Sequence, residues 1–172
     1  MLIDTHCHLT YPGLAEDVSQ VIARALAAGI SRMITIGTNP EDHAQALTLA
    51  HAHAAVFAAL GIHPHHAAEV EPGYEGFLQN RLKDSRVVAL GECGLDYHHN
   101  HAPKLLQRGV FIDQLELARR LSLPVILHIR DAHADGVAIL KDFPELRFVV
   151  HCFTGTPAEC EGWLQLGAYI GI

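Results

Sequence analysis

The sequence predicts an α/β protein built on a parallel sheet, and three observations carry that prediction. Short runs rich in valine and isoleucine alternate with longer helical patterns, as repeated βα units do. The runs are mostly apolar throughout, as strands buried on both faces are. Residues of the metal-ligand kind recur where these runs end, which is where parallel α/β folds build their sites. A doubly wound open sheet and a (β/α)8 barrel both satisfy this pattern.

The elements follow in order. The opening "MLIDTHCHLT" predicts a strand over Leu2–Thr5, and "DVSQVIARALAAG" a helix that ends at Gly29, a residue suited to the left-handed C′ position. A second strand is expected over Met33–Gly37. The next helix takes Asn39 as its N-cap and Pro40 in its first turn. Strands over Val56–Leu60, Val87–Gly91, Pro124–His128, Phe148–His151 and Ala168–Ile172 alternate with helices in "YEGFLQNRLK", "KLLQRGVFIDQLELARRL", "ADGVAILKDF" and "PAECEGWLQLG". The last helix starts at Thr156, with Pro157 next and Glu159 placed for a capping box. Right-handed crossovers would join about seven strands through six helices.

Composition bounds the rest. A chain of 172 residues with 49% apolar content supports one domain, expected over residues 1–172, with a real core. No apolar run approaches 18 residues, so no membrane span is expected, and the start lacks a signal-peptide pattern. The four cysteines form no C-x-x-C pair and read as reduced thiols of a cytoplasmic protein. The net charge of −7 argues against a broad nucleic-acid-binding surface, while leaving room for a small anionic substrate at a local positive site.

The 14 histidines repay inspection by position. In an extended segment residues i and i+2 point the same way, so His6 and His8 aim together and two imidazoles can share one metal ion. The fourth strand ends at Glu92, the fifth at His128 and the sixth at His151. The same alternation sends Cys7, Cys93 and Cys152 towards the strand–helix interface, as buried structural thiols. Asp4 shares the face of His6 and is expected in a supporting or structural role.

The segments "IDTHCHL", "ALGIHPH", "GECGLDY", "PVILHIRD" and "VHCFTG" resemble, in order and from residue 3 to residue 172, the motifs of the TatD-like metal-dependent deoxyribonucleases, which are akin to the amidohydrolase-like hydrolases. The resemblance implies a TIM-type (β/α)8 barrel, here C-terminally incomplete. It implies two divalent metal ions (Mg, Mn or Zn), with His6 and His8 on one, His128 and His151 on the other, and Glu92 as the catalytic carboxylate bridging both. It also implies an aspartate ligand on an eighth strand, and the chain is expected to stop before that strand. Two such ions activate a water and clamp the oxygens of an in-line phosphoryl displacement. Glu92 suits a bridge because a carboxylate has two oxygens, whereas a carboxylated lysine would need lysine there.

The expected activity is therefore a nuclease, a metal-dependent hydrolase of phosphodiester bonds acting on DNA or an oligonucleotide. The alternatives are a small-molecule amidohydrolase or lactonase-like hydrolase, and an inactive truncated remnant or assembly component. His63 and Arg130 are candidate substrate contacts, and Asp96 is a candidate for orienting a ligand histidine. His98, His99 and His101 read as a solvated loop, and His43, His51 and His53 as surface residues of a helix. An open sheet would expose apolar edges and invite self-association.

Overall fold

The computed structural model describes residues 2–172. Seven strands form one sheet in chain order: β1 (Leu2–Cys7), β2 (Ile30–Gly37), β3 (Val56–Leu60), β4 (Val87–Asp96), β5 (Val125–Arg130), β6 (Phe148–His151) and β7 (Tyr169–Ile170). Every neighbouring pair is parallel. The connections carry α1 (Val18–Ala27), α2 (Pro40–Ala52), α3 (Tyr74–Leu82), α4 (Lys104–Leu121), α5 (His133–Leu140) and α6 (Pro157–Leu164).

The sheet curls into a partial barrel. In a flat sheet β1 and β6 would stand five spacings of about 4.8 Å apart, roughly 24 Å. Instead the His6 ring of β1 stacks on the His151 ring of β6, with centroids 3.3 Å apart and planes within 5°. Alternation along the strands then splits the core in two. Leu60, Leu90, Leu95 and Leu127 pack in one buried cluster with Phe111 and Leu115 of α4 and with Trp163 of α6. Ile36, Ala59, Ala89 and Ile126 form a separate, smaller cluster from β2, β3, β4 and β5. Ala59 and Ala89 suit the inside of a tight curve.

Local chemistry sets the helix starts. The Asn39 side chain accepts from the backbone N–H groups of Glu41 and Asp42, capping α2. Thr156 and Glu159 form the expected capping box at α6.

Several strands run further than their composition predicts: β2 starts at Ile30 and β5 continues to Arg130. β1 continues to Cys7, and β4 continues past Gly91 to Asp96, so Glu92 lies inside β4 instead of at its end. Gly91 and Gly94 interrupt the apolar run, yet both are needed: each has positive φ, and a Cβ on Gly91 would stand 2.7 Å from the Ile126 carbonyl oxygen. A Cβ on Gly94 would collide with the carbonyl of His128, its partner in register. At the far edge β7 is only two residues long.

Candidate metal centre

The ends of β1, β5 and β6 and the interior of β4 bring five ligand-type side chains together. His6 Nε2 lies 3.2 Å from His8 Nε2, so the two imidazoles aim at one point as their spacing predicts. Glu92 stands between them and His128. Its Oε2 is 3.4 Å from His6 Nε2 and 4.0 Å from His8 Nε2, while its Oε1 is 3.2 Å from His128 Nδ1. His151 joins from the far side, its ligand atom within 4.8 Å of those of His6 and Glu92. The structure thus seats His151 against His6, and gathers His128 with His63 and His65 in a second group of the same tightness. The Asp4 side chain accepts the backbone N–H of His6 at 3.1 Å, within β1.

Burial and charge set the protonation states. Burial alone would raise the Glu92 carboxyl, but the imidazoles of His128 and His6 hold it well below the usual carboxylate range. Burial pushes His63 down to about 3. It also pushes His151 down to about 4, helped by the neighbouring His6. Burial lowers His8 too. These three rings are neutral at pH 7, the form that binds metal. His128 is raised: burial opposes its charge, but contact with Glu92 and Asp96 prevails.

Asp96 is fully buried, and its Oδ2 lies 3.0 Å from His128 Nε2. The side chain of Gln107, on α4, grips the Asp96 backbone at both ends: Oε1 accepts its N–H at 2.7 Å, and Nε2 donates to its carbonyl at 2.9 Å. Gln114, two helical turns further along the same face, holds Ile62 in the same way and fixes the segment before His63. The His65 backbone N–H donates to His63 Nδ1 at 3.2 Å, which leaves the proton of the neutral His63 ring on Nε2. His63 and Arg130 line, with His8, Glu92, His128 and His151, a cavity of about 410 Å³.

Sequence reasoning passed over several residues of this cavity, among them Tyr11, Thr38 and His65. His65 carried a signal, since "HPH" repeats the i, i+2 spacing of His6 and His8. Tyr11, whose ring stacks on His8 at 4.3 Å, carried none. Other expectations are corrected. His43 is fully buried, not at the surface: it shares the inner face of α2 with Ala46 and Ala50, and its Nε2–H donates to the Gly61 carbonyl at 2.7 Å. His53 is half-buried, while His51 is exposed and pairs with Asp84. Cys93 is buried as expected, and Cys7 packs on the core with its thiol pushed up to about 12 by burial. Cys152 is exposed beside the cavity. It lies past the end of β6 with φ of 45°, so strand alternation no longer governs it.

The residues present fit divalent metal ions. The neutral imidazoles of His8 and His151 converge with an ionised carboxylate, and His6 Nδ1 and His8 Nδ1 are buried without hydrogen-bond partners. Each oxygen of Glu92 faces a different set of imidazoles.

The relatives of this chain share its design. A family model for TatD related DNases matches residues 3–172. The "3'-5' ssDNA/RNA exonuclease TatD" of Erwinia tasmaniensis is 42% identical over 99% of this chain and 67% of its own length. The protein of the same name from Erwinia amylovora is 44% identical over the same shares. Among solved structures, the TatD homolog YjjV of Escherichia coli K12 superposes with a TM-score of 0.93 at 37% identity, covering 99% of this chain and 67% of that one. A hydrolase of the TatD family from Entamoeba histolytica superposes with a TM-score of 0.90 at 27% identity, covering 99% and 64%. The chain spans about two thirds of the length of these relatives. With the family model matched from the first strand to the last residue, the chain belongs to the TatD related DNase family.

Proposed function

We propose that residues 1–172 act as a single metal-dependent hydrolase domain that cleaves phosphodiester bonds of single-stranded DNA or RNA from an end. The observation that carries this reading is Glu92, a buried carboxylate with one oxygen towards His6 and His8 and the other towards His128. Two divalent ions, Mg, Mn or Zn, would be held by His6, His8, His128 and His151 with Glu92 between them, and would activate a water and neutralise phosphate charge. Asp96 keeps His128 turned towards Glu92, as a carboxylate behind a ligand histidine does. His63 offers a neutral Nε2–H donor to a phosphate oxygen, and Arg130 offers a fixed positive charge in the same cavity. A net charge of −7 around so small a basic spot favours a threaded strand end over a long duplex. The relatives named as single-strand exonucleases support the same substrate class.

Among the described residues no helix is long and apolar enough to cross a membrane. The four cysteines are free thiols, in keeping with the cytoplasmic location we propose. Leu2 and Ile3 on β1 and Tyr169 on β7 are exposed, and such edges pair with further chain. Self-association through them is read by size-exclusion chromatography, where a concentration-independent monomer would remove the idea.

The function is tested on end-labelled single strands, duplexes and a small ester. Cleavage of the single strand should require Mg²⁺ or Mn²⁺, vanish on chelation and return on adding the ion back. Ester hydrolysis without phosphodiester cleavage would overturn the assignment.

A further inference from the structure

We infer that the turn after β3 and the loop after β4 build a separate outer site for a divalent transition-metal ion, held by His65, Asp96, His99 and His101. Asp96 anchors it. The Oδ1 atom accepts the backbone N–H groups of His98 at 3.0 Å and His99 at 2.8 Å, folding the "YHHNHA" loop over the carboxylate. The Oδ2 atom faces three imidazole nitrogens at once: His65 Nε2 at 2.8 Å, His99 Nδ1 at 2.9 Å and His128 Nε2 at 3.0 Å. A carboxylate oxygen has two lone-pair directions, so three N–H donors oversubscribe it. A cation resolves the conflict. The His65 and His99 rings present lone pairs to the ion, and Oδ2 keeps His128 as its single N–H donor.

The geometry is close to what an ion requires. The ligand atoms of His65, Asp96 and His99 lie within 4.8 Å of one another. Four tetrahedral ligands at about 2.0–2.1 Å stand roughly 3.3 Å apart, so the cluster would open by about 0.5 Å. The His101 ring is 4.4 Å from that of His65 and 5.9 Å from that of His99, and His99 and His101 both lie on an exposed stretch of loop. Three imidazoles with one carboxylate select Zn²⁺, Ni²⁺ or Cu²⁺ over Mg²⁺. The site uses none of His6, His8, Glu92, His128 or His151 as a ligand and shares only Asp96 with the proposed reaction, so its test varies His99 and His101 and leaves Asp96 in place.

The test is a zinc count. The full chain is stripped with chelator, dialysed against micromolar Zn²⁺ and measured by elemental analysis, beside a His99→Ala/His101→Ala variant. The parent should hold one more zinc per chain than the variant, whose affinity for that ion should fall by roughly 10–100-fold or more. Co²⁺ in place of zinc should give an absorption band that the variant loses. Mg²⁺-supported nuclease activity and the thermal melt should match the parent. If the double variant melts early, the same count on His99→Gln decides. Equal zinc content and equal affinity in parent and variant would overturn the outer site.

Discussion

Replacing Glu92 by glutamine probes the centre most directly. The substitution keeps the shape and removes the charge. Glu92 now presents one oxygen 3.4 Å from His6 Nε2 and the other 3.2 Å from His128 Nδ1. Glutamine keeps one oxygen and places an NH₂ group on the opposite side, so one of the two ions proposed for this centre would lose its anionic ligand. A lost electrostatic contact of this kind costs about 10²–10³ in rate, or about 2.7–4 kcal/mol of transition-state stabilisation. Folding is touched less. A buried polar contact is weakened at a cost of about 1–3 kcal/mol, which lowers Tm by roughly 2–12 °C for a chain of this size. The assay is single-turnover cleavage of a labelled single strand across a Mn²⁺ series, with a thermal melt on the same samples. The expected result is a loss of kcat/KM of about 10²–10³ in a protein that still melts cooperatively. Near-parental cleavage at every metal concentration would refute the bridging role.

Three further outcomes are expected. Asp96→Asn removes the anion behind His128, so the Mn²⁺ concentration giving half-maximal activity should rise roughly 10–100-fold, and an unchanged metal titration would count against that positioning role. Burial holds His43 down at about 4, against about 6.5 in the unfolded chain, so the unfolded state binds more protons between those values. Stability from His43 is therefore complete above about pH 6.5 and falls on acidification by about 1.4 kcal/mol per unit, about 3 kcal/mol in all. Urea unfolding in chelator from pH 7 to 5 should show a shallower loss for His43→Gln than for the parent, and equal slopes would contradict it. Gly94→Ala would drive a Cβ into the His128 carbonyl at a positive φ and should destabilise by about 1–3 kcal/mol or more, read as a lowered melting temperature.

Periodicity and punctuation made most of the framework legible. α4 spans Lys104–Leu121, the bounds its pattern predicts, because a long amphipathic run has one consistent reading. The caps at Asn39 and Thr156 are local interactions within three residues, so they needed no tertiary knowledge. The extension of β4 was not legible, because Gly91 and Gly94 look like strand breakers until β5 lies against them. The burial of His43 was half legible: with Ala46 and Ala50 it forms an i, i+3, i+7 stripe of α2 that points inward. Cys152 went astray because alternation holds only while the strand lasts.

By itself the sequence determined which strands and helices form, that their alternation makes a parallel sheet, and that His6 and His8 share a face, since each follows from patterns along the chain. Tertiary structure decided the rest of the centre. The curl of the sheet stacks His6 on His151, residues from strands five places apart. The packing of α4 brings Gln107 to the Asp96 backbone, and the turn after β3 brings His65 to its carboxylate, 31 positions away in the chain. Those contacts depend on sheet curvature and helix docking, which are properties of the whole packed core and are written in no single stretch of residues.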